Sequence, residues 1–175
     1  MSRSSLALFL FFLFVQLSSQ AQSYRHLFKH WIDADGNCLD TREEILKKYS
    51  SPQAEIDKCK VSSGKWLDPY SGKIINFPQE IDVDHIVPIN EAAKSGALKW
   101  SPQKRQDFAN DYENLLPTKN SLNRQKSDKG PDQWLPPLAS YQCLYVRKYQ
   151  KIKVNYDLQS NAEEYNFIKS FLKKC

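Results

Sequence analysis

The sequence predicts an α+β fold, a small antiparallel sheet wrapped by helices, and three observations carry that reading. Between residues 60 and 86, Val61, Trp66, Ile74, Ile75, Phe77, Ile81 and Val83 alternate with polar residues and turn formers, which is the pattern of short strands. On both sides of that stretch, Ser, Thr and Pro stand where helices open. The length of 175 residues, less a leader, is that of one domain.

Taken from the N-terminus, Arg3 precedes the apolar run Leu6 to Leu17, and small and polar residues then end in Ser19-Gln20-Ala21. This is the pattern of a secretory signal peptide over residues 1–21, cut after Ala21. A membrane span needs about 20 apolar residues, and this run is shorter. Residues 22–175 contain no second such run. They are expected to form a single secreted domain with a helical C-terminal extension and no stable membrane association.

Thr41 and Glu44 have the spacing of a capping box opening a helix to about Lys48, and Ser51-Pro52 has the form of a second helix start. Beyond the strands, Glu91 to Ala97 is a short helix candidate. Ser101-Pro102 supplies a cap and first-turn proline for a helix to about Asp111. Asn114 to Thr118 reads as a brief strand, followed by a polar helix from Lys119 to Gln125 that stops before Gly130-Pro131. Two helices close the chain, Ala139 to Tyr156 and Ser160 to Lys173, the second opened by a Ser160 and Glu163 capping box.

Cys38, Cys59, Cys143 and Cys175 are an even set, and outside the cytosol such thiols pair. Three connectivities are open. Proximity in sequence, with one pair in each half, favours Cys38 with Cys59 and Cys143 with Cys175. Zinc is the competing use, but the chain has no CxxC and its cysteines lie far apart. Loss of the leader removes Arg3 alone among the charges, so the net charge of +5 becomes +4. A basic balance favours encounter with polyanions without requiring it.

The chemistry concentrates in Ile81-Asp82-Val83-Asp84-His85-Ile86-Val87-Pro88. A strand alternates its faces, so Asp82 and Asp84 share one side and His85 takes the other, unless a bend near Val87-Pro88 brings Asp84 and His85 to the rim of one cleft. Hydrolysis of a phosphodiester needs a base to activate water and positive charge beside the phosphate. A neutral histidine suits the first need. A carboxylate and an amide oxygen suit the second, because Mg²⁺ takes hard oxygen ligands and keeps positions for water and phosphate.

Asp84-His85-Ile86-Val87-Pro88, then Asn114-Leu115, then Asn123-Arg124 with Lys126-Ser127-Asp128, resembles the ββα-metal core of HNH nucleases, including the HNH domain of CRISPR effector nucleases. Cys38 with Thr41-Arg42, Trp66 with Asp68-Pro69-Tyr70, Ser95-Gly96-Ala97 and Phe108-Ala109-Asn110-Asp111 extend the likeness to a family of small secreted HNH endonucleases, over residues 24 to 137. The resemblance implies a ββα-metal (HNH) core and a secreted, metal-dependent endonuclease acting on nucleic acid, DNA in preference to RNA. It implies one divalent cation, Mg²⁺ with Mn²⁺ as the alternative.

Residue by residue, the likeness implies Asp84 as metal ligand, His85 as general base, Asn114 as the group that orients the base, and Asn123 as second metal ligand. Asn123 stands where the last histidine gives HNH its name. The interval between His85 and Asn114 is long for the core hairpin and is assigned to an inserted helical segment. The alternative is a catalytically inactive secreted protein of the same fold that binds nucleic acid or another partner. A base that must be neutral makes activity fall below pH ~6.5 if His85 titrates as a free histidine.

Further candidates surround this core. Arg105 and Lys126 are expected to touch substrate phosphates, ahead of Lys104, Lys119, Arg124 and Lys129. Trp66, Tyr70, Trp100 and Trp134 could stack on bases, although core packing is the commoner use. Asp33-Ala34-Asp35-Gly36-Asn37 with Glu44 has some of the spacing of a calcium loop, but Cys38 occupies the position of its required glycine, which favours a hydrogen-bonded turn. His26 and His30 have helical spacing without a third ligand, so they are expected at the surface or in packing.

Overall fold

A computed structural model describes residues 23–175; the signal-peptide expectation for residues 1–21 lies outside the described residues. The fold is α+β, with six α-helices and three two-stranded antiparallel sheets among the described residues. Among those residues no helix is long and apolar enough to cross a membrane.

Helix α1 (Thr41–Tyr49) is capped by Asp40, whose side chain accepts from the Glu43 N–H at 3.0 Å. The expected cap, Thr41, lies one residue inside, where its single hydroxyl proton is shared between the Ile32 carbonyl and Asn110 Oδ1. Ser51-Pro52 opens no helix. Ser51 N–H goes to the Lys65 carbonyl, and the chain runs on into the hairpin of β1 (Glu55–Asp57) and β2 (Lys60–Ser63). A second hairpin pairs β3 (Trp66–Leu67) with β4 (Ile74–Ile75).

The third sheet carries the site. Strand β5 (Ile81–His85) pairs with β6 (Leu115–Lys119) in a register from Ile81 opposite Lys119 to His85 opposite Leu115. Between these strands lie α2 (Ile89–Lys94), a 3-10 turn at Ala97–Lys99, and α3 (Pro102–Ala109), the inserted helical segment expected from the sequence. Ser101 caps α3 by accepting from Lys104 N–H, with Pro102 in its first turn. Helix α4 (Asn120–Lys126) follows β6 directly.

Two cores flank this hairpin. Ile81, Val83 and Leu115 join Ile45, Leu46, Val61, Trp66 and Ile75 on one side. Leu116, Ile86 and Val87 join Phe28, Phe108, Tyr70, Tyr145, Val146 and Ile152 on the other. Trp66 and Tyr70 are fully buried, as the packing reading expected. The second core is completed by α5 (Ala139–Asn155) and α6 (Ala162–Leu172). Helix α6 starts one residue after Asn161, which accepts from Glu164 N–H; the expected Ser160 and Glu163 box is again displaced by one.

The disulfides join Cys38 to Cys59 and Cys143 to Cys175. The first ties the segment before α1 to the turn between β1 and β2, and the second fastens the C-terminus to α5.

Candidate functional site

Strand β5 ends at His85 because Asn114 takes over its neighbours. The Asn114 carbonyl accepts from Ile86 N–H, its Oδ1 accepts from Val87 N–H at 2.8 Å, and its Nδ2 donates to the Val87 carbonyl at 3.3 Å. These bonds hold the chain just beyond the last strand pair, before Pro88 directs it into α2. Asp82, Asp84 and His85 consequently line one cleft of about 430 Å³ despite their alternating positions on the strand. Asn123, one turn into α4, lines it too.

His85 is buried, and its Nε2 lies 2.8 Å from the Ala109 carbonyl. A carbonyl only accepts, so Nε2 carries the proton and a neutral ring keeps its lone pair on Nδ1. Nδ1 has no hydrogen-bond partner among the described residues. The one sealed, unpartnered side-chain nitrogen or oxygen among them is the Tyr145 hydroxyl, so Nδ1 opens on the cleft. Trp31 packs against the imidazole with centroids 5.6 Å apart.

The orienting contact expected of Asn114 is therefore made by the Ala109 carbonyl at the end of α3, and Asn114 acts on the backbone. Burial lowers the His85 pKa to about 3, so the ring stays neutral far below the pH 6.5 expected of a free histidine.

Asp84 is held from two sides. Tyr70 donates its hydroxyl to Oδ2 at 2.6 Å, and Lys126 donates to Oδ1 at 3.0 Å while also reaching the His85 carbonyl at 2.7 Å. Burial pushes the Asp84 carboxyl up and the Lys126 ammonium down, and their mutual attraction opposes both shifts. Burial also raises the Tyr70 hydroxyl, which keeps it a donor.

Lys126 is thus not the phosphate contact expected of it. It is fully buried behind the cleft, where the carboxylate and carbonyl take its charge. Arg105 is also displaced from that role: it is absent from the cleft wall and donates to the carbonyls of Leu27 and Trp100.

The oxygens facing the cleft suit a hard divalent cation. Asn123 donates Nδ2 to Asp82 Oδ2 at 3.0 Å, leaving its Oδ1 without a partner among the described residues. Each Asp84 oxygen accepts one bond and retains a further lone pair. Among the described residues no three His, Cys, Asp or Glu groups converge on a metal position. The donor set is instead carboxylate and amide oxygen, which are hard ligands.

Several cleft residues carry no motif in the sequence: Arg25, Trp31 and Asn90; Asp128 appeared only in the family likeness. Asp82 could have been found, because it shares its strand face with Asp84. Arg42 appeared only in the family likeness, and it lines the cleft while bonding Glu43 and the Ile81 carbonyl. The Asp33 loop satisfies itself: Asp33 accepts from the N–H groups of Gly36, Asn37 and Cys38, and the Asn37 amide bridges Asp35 and Glu44. That is the hydrogen-bonded turn the sequence favoured. His30 bonds the Phe28 carbonyl and packs on Trp31.

Over residues 39–169 the sequence matches the family described as GmrSD restriction endonucleases, C-terminal domain. It is 39% identical over 153 residues to a protein of Arthroderma benhamiae named an uncharacterized secreted protein, covering 86% of this chain and 74% of that one. It is 24% identical over 128 residues to the spindle assembly checkpoint component MAD1 of Candida glabrata, covering 73% of this chain and 18% of that protein. No solved structure matches.

Proposed function

The chain belongs to the family of the GmrSD restriction endonuclease C-terminal domain, and from that premise we propose that its cleft hydrolyses phosphodiester bonds within nucleic acid, DNA in preference to RNA. The observation that carries this reading is the His85 imidazole, whose Nε2 is tied to the Ala109 carbonyl while Nδ1 opens on the cleft shared with Asp84 and Asn123.

In this reading His85 Nδ1 takes a proton from the attacking water, and the Ala109 carbonyl steadies the imidazolium that forms. A divalent cation held by Asp84 and Asn123, Mg²⁺ or Mn²⁺, supplies positive charge to the scissile phosphate when bound. Tyr70 and Lys126 fix the Asp84 carboxylate in one orientation, and Asn114 fixes the backbone that places His85 beside it. The two disulfides, together with a relative named as secreted, support action outside the reducing cytosol.

The test incubates the mature protein, disulfides intact, with plasmid DNA and with RNA in Mg²⁺, Mn²⁺ or EDTA, with His85→Ala alongside. Metal-dependent cutting that the variant loses is the expected result. Binding without cutting in every metal would make the protein a nucleic-acid-binding relative instead.

A further inference from the structure

We propose that Arg25 and Arg42 form a clamp for a phosphate flanking the scissile one, so that the cleft takes a polynucleotide backbone and not merely an isolated phosphate diester. This rests on the nuclease reading of the same cleft.

Arg25 lines the cleft, yet among the described residues its side chain makes no hydrogen bond and no ion pair within 4.0 Å. Its charge is nevertheless close enough to be felt by both Asp82 and His85. Arg42 lines the same cleft from α1, with one terminal nitrogen on Glu43 at 2.6 Å and the other on the Ile81 carbonyl at 3.2 Å. A guanidinium has five N–H donors, so Arg42 retains donors beyond these two bonds. Two forked cations in one cleft, one of them without a partner, match the two-oxygen edge of a phosphate.

The segment bearing Arg25 is also fastened on both sides. Ahead of it, Tyr24 N–H donates to Asn90 on α2 at 2.9 Å. Behind it, Arg105 holds the Leu27 carbonyl at 3.2 Å, and Phe28 is buried against Phe108. Arg105, expected to contact substrate itself, acts as a positioning residue for the arm that carries Arg25. Arg25 precedes residue 39, where the family match begins, so this arm adds to the cleft a cation from outside the matched region.

Base stacking is the weaker use of this wall. Trp31 already lies against the His85 ring, so its near face is occupied. The cleft's other open groups are polar or charged, among them Asn90, Ser127 and Asp128, the last paired with Lys94. Ionic contacts to a phosphate chain, which carry no base preference, are what such a wall offers.

The test compares wild type, Arg25→Ala and Arg25→Lys on a duplex oligonucleotide and on bis(4-nitrophenyl) phosphate, a diester with no flanking phosphate. Arg25→Ala removes no side-chain bond among the described residues, so their fold is not at stake. It is expected to lower kcat/KM on the oligonucleotide about tenfold, mainly through KM, and to reduce the salt slope of binding by about one. The loss on the single diester is expected to be several-fold smaller, with Arg25→Lys intermediate on the oligonucleotide. Equal losses on both substrates, or an unchanged salt slope, would overturn the clamp alone. Wild-type protein that cleaves neither substrate would overturn the nuclease reading, and the clamp with it.

Discussion

Lys126 reaches from α4 to Asp84 on β5 across the back of the cleft, its Nζ 3.0 Å from Oδ1, and both side chains are all but sealed from water. Two buried charges stabilise the fold only together, because each has lost its hydration. Lys126→Ala would leave the Asp84 carboxylate with Tyr70 alone and strand the His85 carbonyl. The expected loss is about 3–5 kcal/mol of unfolding free energy, read by urea titration. A loss below ~1 kcal/mol would return Lys126 to the role of a solvent-facing cation.

Asn114 supplies a second test of how the site is held. Its side chain serves both backbone groups of Val87 in a buried setting, so Asn114→Ala leaves a buried N–H unsatisfied, costing about 1–3 kcal/mol. Asn114→Asp keeps the acceptor for Val87 N–H. Cleavage is expected to fall steeply in the alanine variant and to recover in part in the aspartate variant, because His85 is placed through this turn. Intact stability in Asn114→Ala would contradict that placement.

His85 makes stability depend on pH with a definite sign. Its pKa is about 3 when folded, against ~6.5 in an unfolded chain, so on acidification the unfolded state takes the proton first. The contribution is full above pH ~6.5 and is lost as pH falls toward 3. Urea titrations at pH 7 and pH 4.5 should show a drop larger in wild type than in His85→Ala by on the order of 2 kcal/mol. Metal-dependent cleavage by the wild type should correspondingly persist below pH 6.5. An activity limb at the free-histidine value would mean that the ring is more hydrated than its burial indicates.

Why some of this was legible in the sequence and some was not follows from range. Asp84, His85 and Asn123 sit in short motifs whose spacing suits the proposed chemistry, and all three line one cleft. The starts of α1, α3, α4, α5 and α6 were legible to within one residue because caps are local, whereas α2 begins two residues before the expected Glu91 and Ser51-Pro52 opens no helix. Asp40 and Asn161 took the caps from Thr41 and Ser160, since Asp and Asn side chains were available one position away. Contacts across 40 residues or more left no such trace. Charge alone made Lys126 and Arg105 read as phosphate contacts, whereas burial and carbonyl partners decide their roles. Arg25, in a segment with no periodicity or motif, became visible only when the chain folded back onto α2.

The C-terminal helices are bound to the core by charge as well as by apolar packing. Lys153 on α5 is buried and donates to Glu91 on α2 at 2.9 Å, to Ser95 at 3.1 Å and to Glu164 on α6 at 2.6 Å. Tyr149 closes the set by donating to the other Glu164 oxygen at 2.5 Å. Lys153→Met keeps the length of the side chain but leaves two carboxylates facing a site without a cation, and should cost about 3 kcal/mol or more. If the cost is the stranded charge, adding Glu164→Gln to Lys153→Met should recover part of the stability, a coupling that a double-mutant cycle reads directly. Simple additivity would mean that α6 is held by its apolar face and the Cys143–Cys175 bridge. Recovery would mean that α6 is fastened to α5 by this buried ion pair.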